Sequence, residues 1–188
     1  MNDPKPTRRQ ILKLAAATGA ASVMAATGQV AAQTAADPAR AGDLLVFQDG
    51  PKKGKVVKAA DVKVGVSVRA LAVDPITKKP RDPLKSGVVI VKLASGKIKA
   101  SSKPNAAGDV VAYSAICTHQ ACPIQGIGDL GQGKGNIVCT CHGSIYDPAD
   151  NATVLGGPSP RRLAALPIKV DATGQLVARA AFTGKIGT

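Results

Sequence analysis

Two short runs constrain what this chain can fold into more than any other feature: Cys117-Thr118-His119-Gln120-Ala121-Cys122 and Cys139-Thr140-Cys141-His142-Gly143-Ser144-Ile145-Tyr146-Asp147. The 188 residues include four cysteines and two histidines, and all six fall inside these runs. Chance scatter does not do that, so the fold must bring both runs together around something they bind. Cys117 and His119 stand two apart, Cys139 and His142 three apart, and 19 residues separate His119 from Cys139, enough for two facing loops. Each loop then offers one thiolate and one imidazole. Cys122 and Cys141 remain as a second pair, one per loop, well placed for a disulfide that would staple the loops together.

Three chemistries use such a set. A Cys₂His₂ zinc site is one, although structural zinc loops usually pair like with like and zinc leaves the second cysteine pair unexplained. A c-type haem needs two residues between its cysteines before the histidine, and Cys139-Thr140-Cys141-His142 has one. The third is a [2Fe–2S] cluster with two cysteines on one iron and two histidines on the other, where neutral imidazoles reduce the cluster's negative charge and raise its potential.

Together the two runs resemble the paired motif of the Rieske iron–sulfur proteins, specifically the disulfide-containing branch found in cytochrome bc and b6f complexes and in the small subunit of arsenite oxidase. Gly157-Pro158-Ser159-Pro160, followed by Arg161-Arg162-Leu163, is similar to the proline-rich loop that covers the cluster in that branch. The resemblance implies one [2Fe–2S] cluster, with Cys117 and Cys139 on the inner iron and His119 and His142 on the outer iron near the surface. It also implies two tuning groups: a Ser144 hydroxyl donating to a bridging sulfide and a Tyr146 hydroxyl donating to the Cys117 sulfur. Both bonds favour the electron-rich reduced state, which places the expected potential in the upper part of the roughly −150 to +300 mV range. One position departs from the pattern. Gln120 stands where quinol-oxidising members usually present an apolar Leu, and a polar tip fits a greasy quinol pocket less well.

The chain begins with an address. Thr7-Arg8-Arg9-Gln10-Ile11-Leu12-Lys13 is a twin-arginine pattern, and an uncharged, alanine-rich run over 14–32 follows it, with Val30-Ala31-Ala32 as a small-residue cleavage site. Export folded, with the cofactor already in place, to an oxidising periplasm suits both a cluster and a Cys122–Cys141 disulfide. The run has about the length of a membrane span, so retention as an inner-membrane anchor is the alternative to cleavage. Its Thr18, Gly19, Ser22, Thr27, Gly28 and Gln29 make it weakly hydrophobic and favour cleavage. Residues 33–43, alanine-rich with Pro38, read as a linker, and 44–188 as one domain.

Within that domain the pattern has the short period of strands. Val66-Ser67-Val68-Arg69-Ala70-Leu71-Ala72-Val73 alternates, Val88-Val89-Ile90-Val91-Lys92-Leu93 is a continuous apolar run, and Val110-Val111-Ala112-Tyr113-Ser114 leads into the first ligand run. Asp49-Gly50-Pro51, Asp74-Pro75, Lys79-Pro80, Ser95-Gly96 and Lys103-Pro104-Asn105 punctuate them. Leu166-Pro167-Ile168-Lys169-Val170 and Leu176-Val177-Ala178-Arg179-Ala180, split by Asp171-Ala172-Thr173-Gly174, predict a closing hairpin. The chain reads as all-β with a loop-built site inserted at one end. The resemblance implies a Rieske-type antiparallel β-sandwich with an inserted two-loop cluster-binding subdomain.

Charge and composition narrow the function. The net charge is +13, and residues 1–32 carry four of the basic groups (Lys5, Arg8, Arg9, Lys13) against Asp3, leaving +10 after cleavage. A basic exported protein can dock on an acidic redox partner or an anionic membrane surface. Nucleic acid is not an expected partner, because two Tyr, two Phe and no Trp are too few for base-stacking platforms. An oxygenase with its own iron needs further histidines for a 2-His-1-carboxylate site, and none is left, so no independent catalytic site is expected. The leading expectation is an electron-transfer subunit working between a redox enzyme, such as a molybdenum enzyme or a quinol-oxidising complex, and a c-type cytochrome. The alternatives are the Rieske subunit of a membrane quinol–cytochrome c reductase and, in a third class, a structural zinc domain, which would be colourless.

Overall fold

The computed structural model describes residues 37–129 and 133–188. The twin-arginine pattern, the run over 14–32 and residues 33–36 lie outside the described residues. Ten strands are present among the described residues: β1 (Leu44–Phe47), β2 (Ser67–Val73), β3 (Gly87–Lys92), β4 (Val110–Ser114), β5 (Gly126–Gly128), β6 (Asn136–Cys139), β7 (Ser144–Asp147), β8 (Thr153–Gly156), β9 (Ile168–Val170) and β10 (Leu176–Ala178). Six of them form one sheet in the order β4-β3-β2-β1-β10-β9, and four form a second in the order β5-β6-β7-β8. Every pairing between these strands is antiparallel. The second sheet is inserted in sequence between β4 and β9, so the all-β antiparallel fold with an inserted subdomain is the one observed.

The continuous apolar run of β3 has a physical reason. Val88 and Ile90 point into one core with Leu45, Val57, Ala70, Leu166, Ile168 and Leu176. Val89 and Val91 point the other way, into a second core with Tyr113, Ile124, Ile137, Tyr146 and Leu163. A strand buried on both faces cannot alternate apolar with polar. β4 divides in the same manner, Val110 and Ala112 facing the first core and Val111 and Tyr113 the second. Each such side chain, fully buried, contributes roughly 1.5–3 kcal/mol. Cys117 and Cys139 belong to the second core, so the site rests on a packed floor.

The predicted closing hairpin forms, with Leu176 opposite Val170 and Ala178 opposite Ile168. Its turn is fixed by the Asp171 carboxylate, which accepts from the Thr173 and Gln175 amides at 2.8 and 2.9 Å, and by Gly174 at φ +81°. One buried ionic cluster ties the residue before β1 to the residue after β2, two inner strands of the larger sheet. Arg81, 3% exposed, donates to both oxygens of Asp43 at 2.9 and 2.7 Å and to Asp74 at 3.1 Å. The fork geometry of the guanidinium suits such two-point recognition.

Candidate metal centre

The first ligand run is a tight loop at the end of β4. The Ala115 amide donates to Gly87 O at 2.9 Å and its carbonyl accepts from Ile124 at 2.7 Å, while the Cys117 amide donates to Cys122 O at 2.8 Å, so both ends of the loop are pinned. Ala121 turns the chain with φ +54°. The second run is the turn between β6 and β7, where Cys139 lies opposite Ser144. Gly143, at φ +73°, closes that turn by donating to Cys139 O at 3.0 Å. Both loops repeat one local device: the amide two positions on, His119 in one and Cys141 in the other, favours the ionised form of the cysteine sulfur.

The structure separates the six residues by depth. Cys117 and Cys139 are each 1% exposed, whereas His119 is half-buried and His142 exposed. The imidazoles meet edge to face with centroids 4.8 Å apart, and their Nδ1 atoms are 3.3 Å apart. Cys122 is half-buried and Cys141 exposed. Their sulfurs and that of Cys139 lie within 4.8 Å of one another, and all four cysteines are present as thiols. Gln120 is exposed at the tip of the first loop.

Hydroxyl groups wrap the inner sulfur. Tyr146, fully buried, holds its phenol oxygen 3.2 Å from Cys117 Sγ and 2.5 Å from Ser159 Oγ. Ser159 Oγ donates to Ser144 Oγ at 2.9 Å and stands 3.5 Å from Cys117 Sγ. Burial pushes the Cys117 thiol up, yet the hydroxyls of Ser159 and Tyr146, the His119 amide and the Cys139 thiol together outweigh it, and the group ends below the ordinary thiol value. Cys139 moves the other way, pushed up to about 12 by burial and by the Cys117 sulfur beside it. Without a cation two adjacent buried sulfurs cannot both ionise; a bound metal deprotonates both.

The proline-rich segment lies directly on the second loop. A Cβ on Gly157, which has φ +83°, would stand 2.5 Å from Gly143 O and 2.5 Å from Ser144 Cα, so only glycine fits there. Thr118 Oγ1 donates to Arg161 O at 2.6 Å and ties the first loop to the same segment. The Arg161 guanidinium donates in turn to Gly187 O in the C-terminal tail.

The donor set fits a metal. Two imidazole nitrogens bound to one tetrahedral metal at about 2.0–2.1 Å stand about 3.3–3.4 Å apart, and the Nδ1 separation here is 3.3 Å. Below them, two buried thiols share a pocket lined with hydrogen-bond donors, which suits a second, sulfur-bound iron. Sequence reasoning missed two contributors. In the sequence Ser159 belongs only to the covering segment and Thr118 has no evident role, yet both hydroxyls make contacts there. No sequence signal marks them, since Ser and Thr are common and their partners lie up to 43 residues away.

The chain is similar to known iron–sulfur proteins. A model of the Rieske [2Fe-2S] domain matches residues 52–167. The chain is 36% identical over 104 residues to the cytochrome bc1 complex Rieske iron–sulfur subunit of Streptomyces lividans, covering 55% of this chain and 59% of that one. It is 42% identical over 81 residues to the corresponding subunit of Corynebacterium diphtheriae, covering 43% and 19%. It is 43% identical over 76 residues to a candidate Rieske subunit of a respiratory nitrate reductase from Haloferax mediterranei, covering 40% and 32%. The chain thus spans about a fifth to three fifths of the length of these relatives. Among solved structures, the plasma membrane Rieske protein of Synechocystis PCC 6803 aligns over 65% of this chain and 95% of that one, with 22% identity and a TM-score of 0.43. With the family match spanning more than half of its residues, the chain belongs to the Rieske family and carries that family's domain for a [2Fe–2S] cluster.

Proposed function

We propose that this chain is an exported electron carrier that moves one electron at a time, coupled to a proton, between a redox enzyme and a cytochrome. The cluster supplies the one-electron chemistry when bound. In this reading Cys117 and Cys139 hold the inner iron, and His119 and His142 hold the outer iron through Nδ1. The observation that carries it is the 3.3 Å approach of the two Nδ1 atoms on rings at the surface, above a pair of buried thiols. That arrangement leaves each Nε2 as the atom that would carry the proton. Electron and proton would then be taken up together.

With the cluster bound, Tyr146 would donate to the Cys117 sulfur and Ser144 to the cluster, which would set the potential in the upper part of the roughly −150 to +300 mV range. Such a potential suits electrons received from a molybdenum enzyme or a quinol-oxidising complex and delivered to a c-type cytochrome. Cys122 and Cys141, joined as a disulfide, would hold the two loops in register. The twin-arginine pattern supports periplasmic export, and the run over 14–32 supports either cleavage or a membrane anchor; among the described residues no helix is long and apolar enough to cross a membrane. The basic charge supports docking on an acidic redox partner.

A second reading, the Rieske subunit of a quinol–cytochrome c reductase, is favoured by the names of the Streptomyces and Corynebacterium relatives. The exposed polar Gln120 argues against it. Copurification of b-type haem with the protein would decide for the second reading, and its absence from a detergent-free preparation for the first. For the ligands, His119→Ala or His142→Ala should abolish the visible chromophore and the paramagnetic signal of the reduced state. A variant with an unaltered spectrum removes that histidine from the ligand set.

A further inference from the structure

We propose that Ser159 is a third potential-setting hydroxyl of this site, a reserve donor that buffers the Cys117 sulfur against loss of its other hydrogen bonds. The proposal rests on the reading above that Cys117 binds the cluster. Ser159 is 8% exposed, and its Oγ has three neighbours: Tyr146 OH at 2.5 Å, Ser144 Oγ at 2.9 Å and Cys117 Sγ at 3.5 Å. A serine hydroxyl has one proton and two lone pairs, so it can donate to one of the three at a time.

The protons around it can be counted. Ser159 donates to Ser144, so the 2.5 Å contact with Tyr146 must use the phenol's single proton. That same proton is the one the phenol oxygen, 3.2 Å from the Cys117 sulfur, could donate to it. Two acceptors therefore compete for it. If the Ser159 proton swings from Ser144 to the phenol oxygen, the phenol proton is released wholly to the sulfur, and the donated bond strengthens it further. Thr118 cannot take this part, because its hydroxyl proton is engaged by Arg161 O at 2.6 Å. Where Tyr146 lacks its hydroxyl, the hydroxyl left within reach of the sulfur among the described residues is that of Ser159. A bond to a charged acceptor is roughly twice as strong as a neutral one, so the proton will move there.

Buffering has a signature that a merely structural serine does not give. The midpoint potential is measured by protein-film voltammetry for the native protein, Tyr146→Phe, Ser159→Ala and the double variant, with the visible spectrum of each reporting an intact cluster. Tyr146→Phe should lower the midpoint in both backgrounds. The drop should be larger when Ser159→Ala is also present, by about tenfold in the one-electron equilibrium constant, about 59 mV. Ser159→Thr, which keeps the hydroxyl, should restore the smaller drop. If Ser159→Ala sheds the cluster, Ser159→Thr and Ser159→Val, alike in shape and different in the hydroxyl, carry the same comparison.

Equal drops in the two backgrounds would overturn the role of Ser159 while leaving Tyr146 as a tuning residue. No drop in either would remove both. The ligand reading is tested apart from this, since Cys117→Ser should change or abolish the chromophore whatever Ser159 does.

Discussion

Two adjacent glycines in the covering segment should respond very differently to the same substitution. At Gly157 an added Cβ would meet Gly143 O and Ser144 Cα at 2.5 Å each, both backbone atoms that cannot rotate away, and φ is +83°. At Gly156 the added Cβ would meet only Ile145 Cδ1 at 3.9 Å, an ordinary contact. Left-handed backbone costs a non-glycine residue about 1–2 kcal/mol, and overpacking costs about 1–3 kcal/mol more. Gly157→Ala should therefore destabilise the domain by about 2–5 kcal/mol, roughly 5–15 °C in melting temperature for a domain of this size. Gly156→Ala should stay within about 0.5 kcal/mol of the native protein. Because the segment carries Ser159, Gly157→Ala should also lower the midpoint potential, and Gly156→Ala should not. Thermal unfolding followed by circular dichroism and by the colour of the cluster reads both effects. Equal melting temperatures for the two variants would refute the argument that the covering segment is seated by close backbone approach.

Three other outcomes are expected. Replacing Cys122 and Cys141 together by Ala should let the cluster assemble but shed it faster on heating, with the lost cross-link worth ~2–5 kcal/mol; mass spectrometry that finds both thiols free in the mature oxidised protein rules the disulfide out. Arg81→Leu strands the buried Asp43 and should cost about 3–5 kcal/mol, measured by urea titration, whereas loss below about 1 kcal/mol would make the cluster incidental. The Asp74 carboxyl is held below its ordinary 3.8 by the Thr77 amide first, with the Ile76 amide and Arg81 also lowering it against burial. A folded state that prefers the ionised form is stabilised fully above 3.8 and loses that stabilisation as pH falls through the lower folded value, so Asp74→Asn should flatten the acid limb of a melting-temperature profile below pH 4 and change its slope little between pH 5 and 7.

The parts of this fold that could be read from sequence are those where one physical demand dominates. The run from Val88 to Val91 announced a strand, and Asp171 with Gly174 announced the turn between β9 and β10. The ligand runs were legible because cysteine and histidine are scarce here and cluster for chemical reasons. The sheet beneath them was not. Gly126-Ile127-Gly128 and Thr153-Val154-Leu155-Gly156 are too short and too glycine-rich to show a period, and they become strands only by pairing with β6 and β7. Likewise nothing near Ser159 or Arg81 in sequence shows that one meets Tyr146 and Ser144 while the other reaches back 38 residues to Asp43. Such partners are chosen by tertiary packing, and local propensity carries no trace of them.

The central claim is that both imidazoles bind one iron through nitrogen while Cys117 and Cys139 bind the other. Pulsed paramagnetic resonance on the reduced protein, labelled with ¹⁵N-histidine, tests it most directly. Strong hyperfine coupling from two histidine nitrogens is expected, both lost in His119→Ala and in His142→Ala as the cluster is lost. A reduced cluster that shows coupling from one histidine nitrogen, or from none, would contradict it.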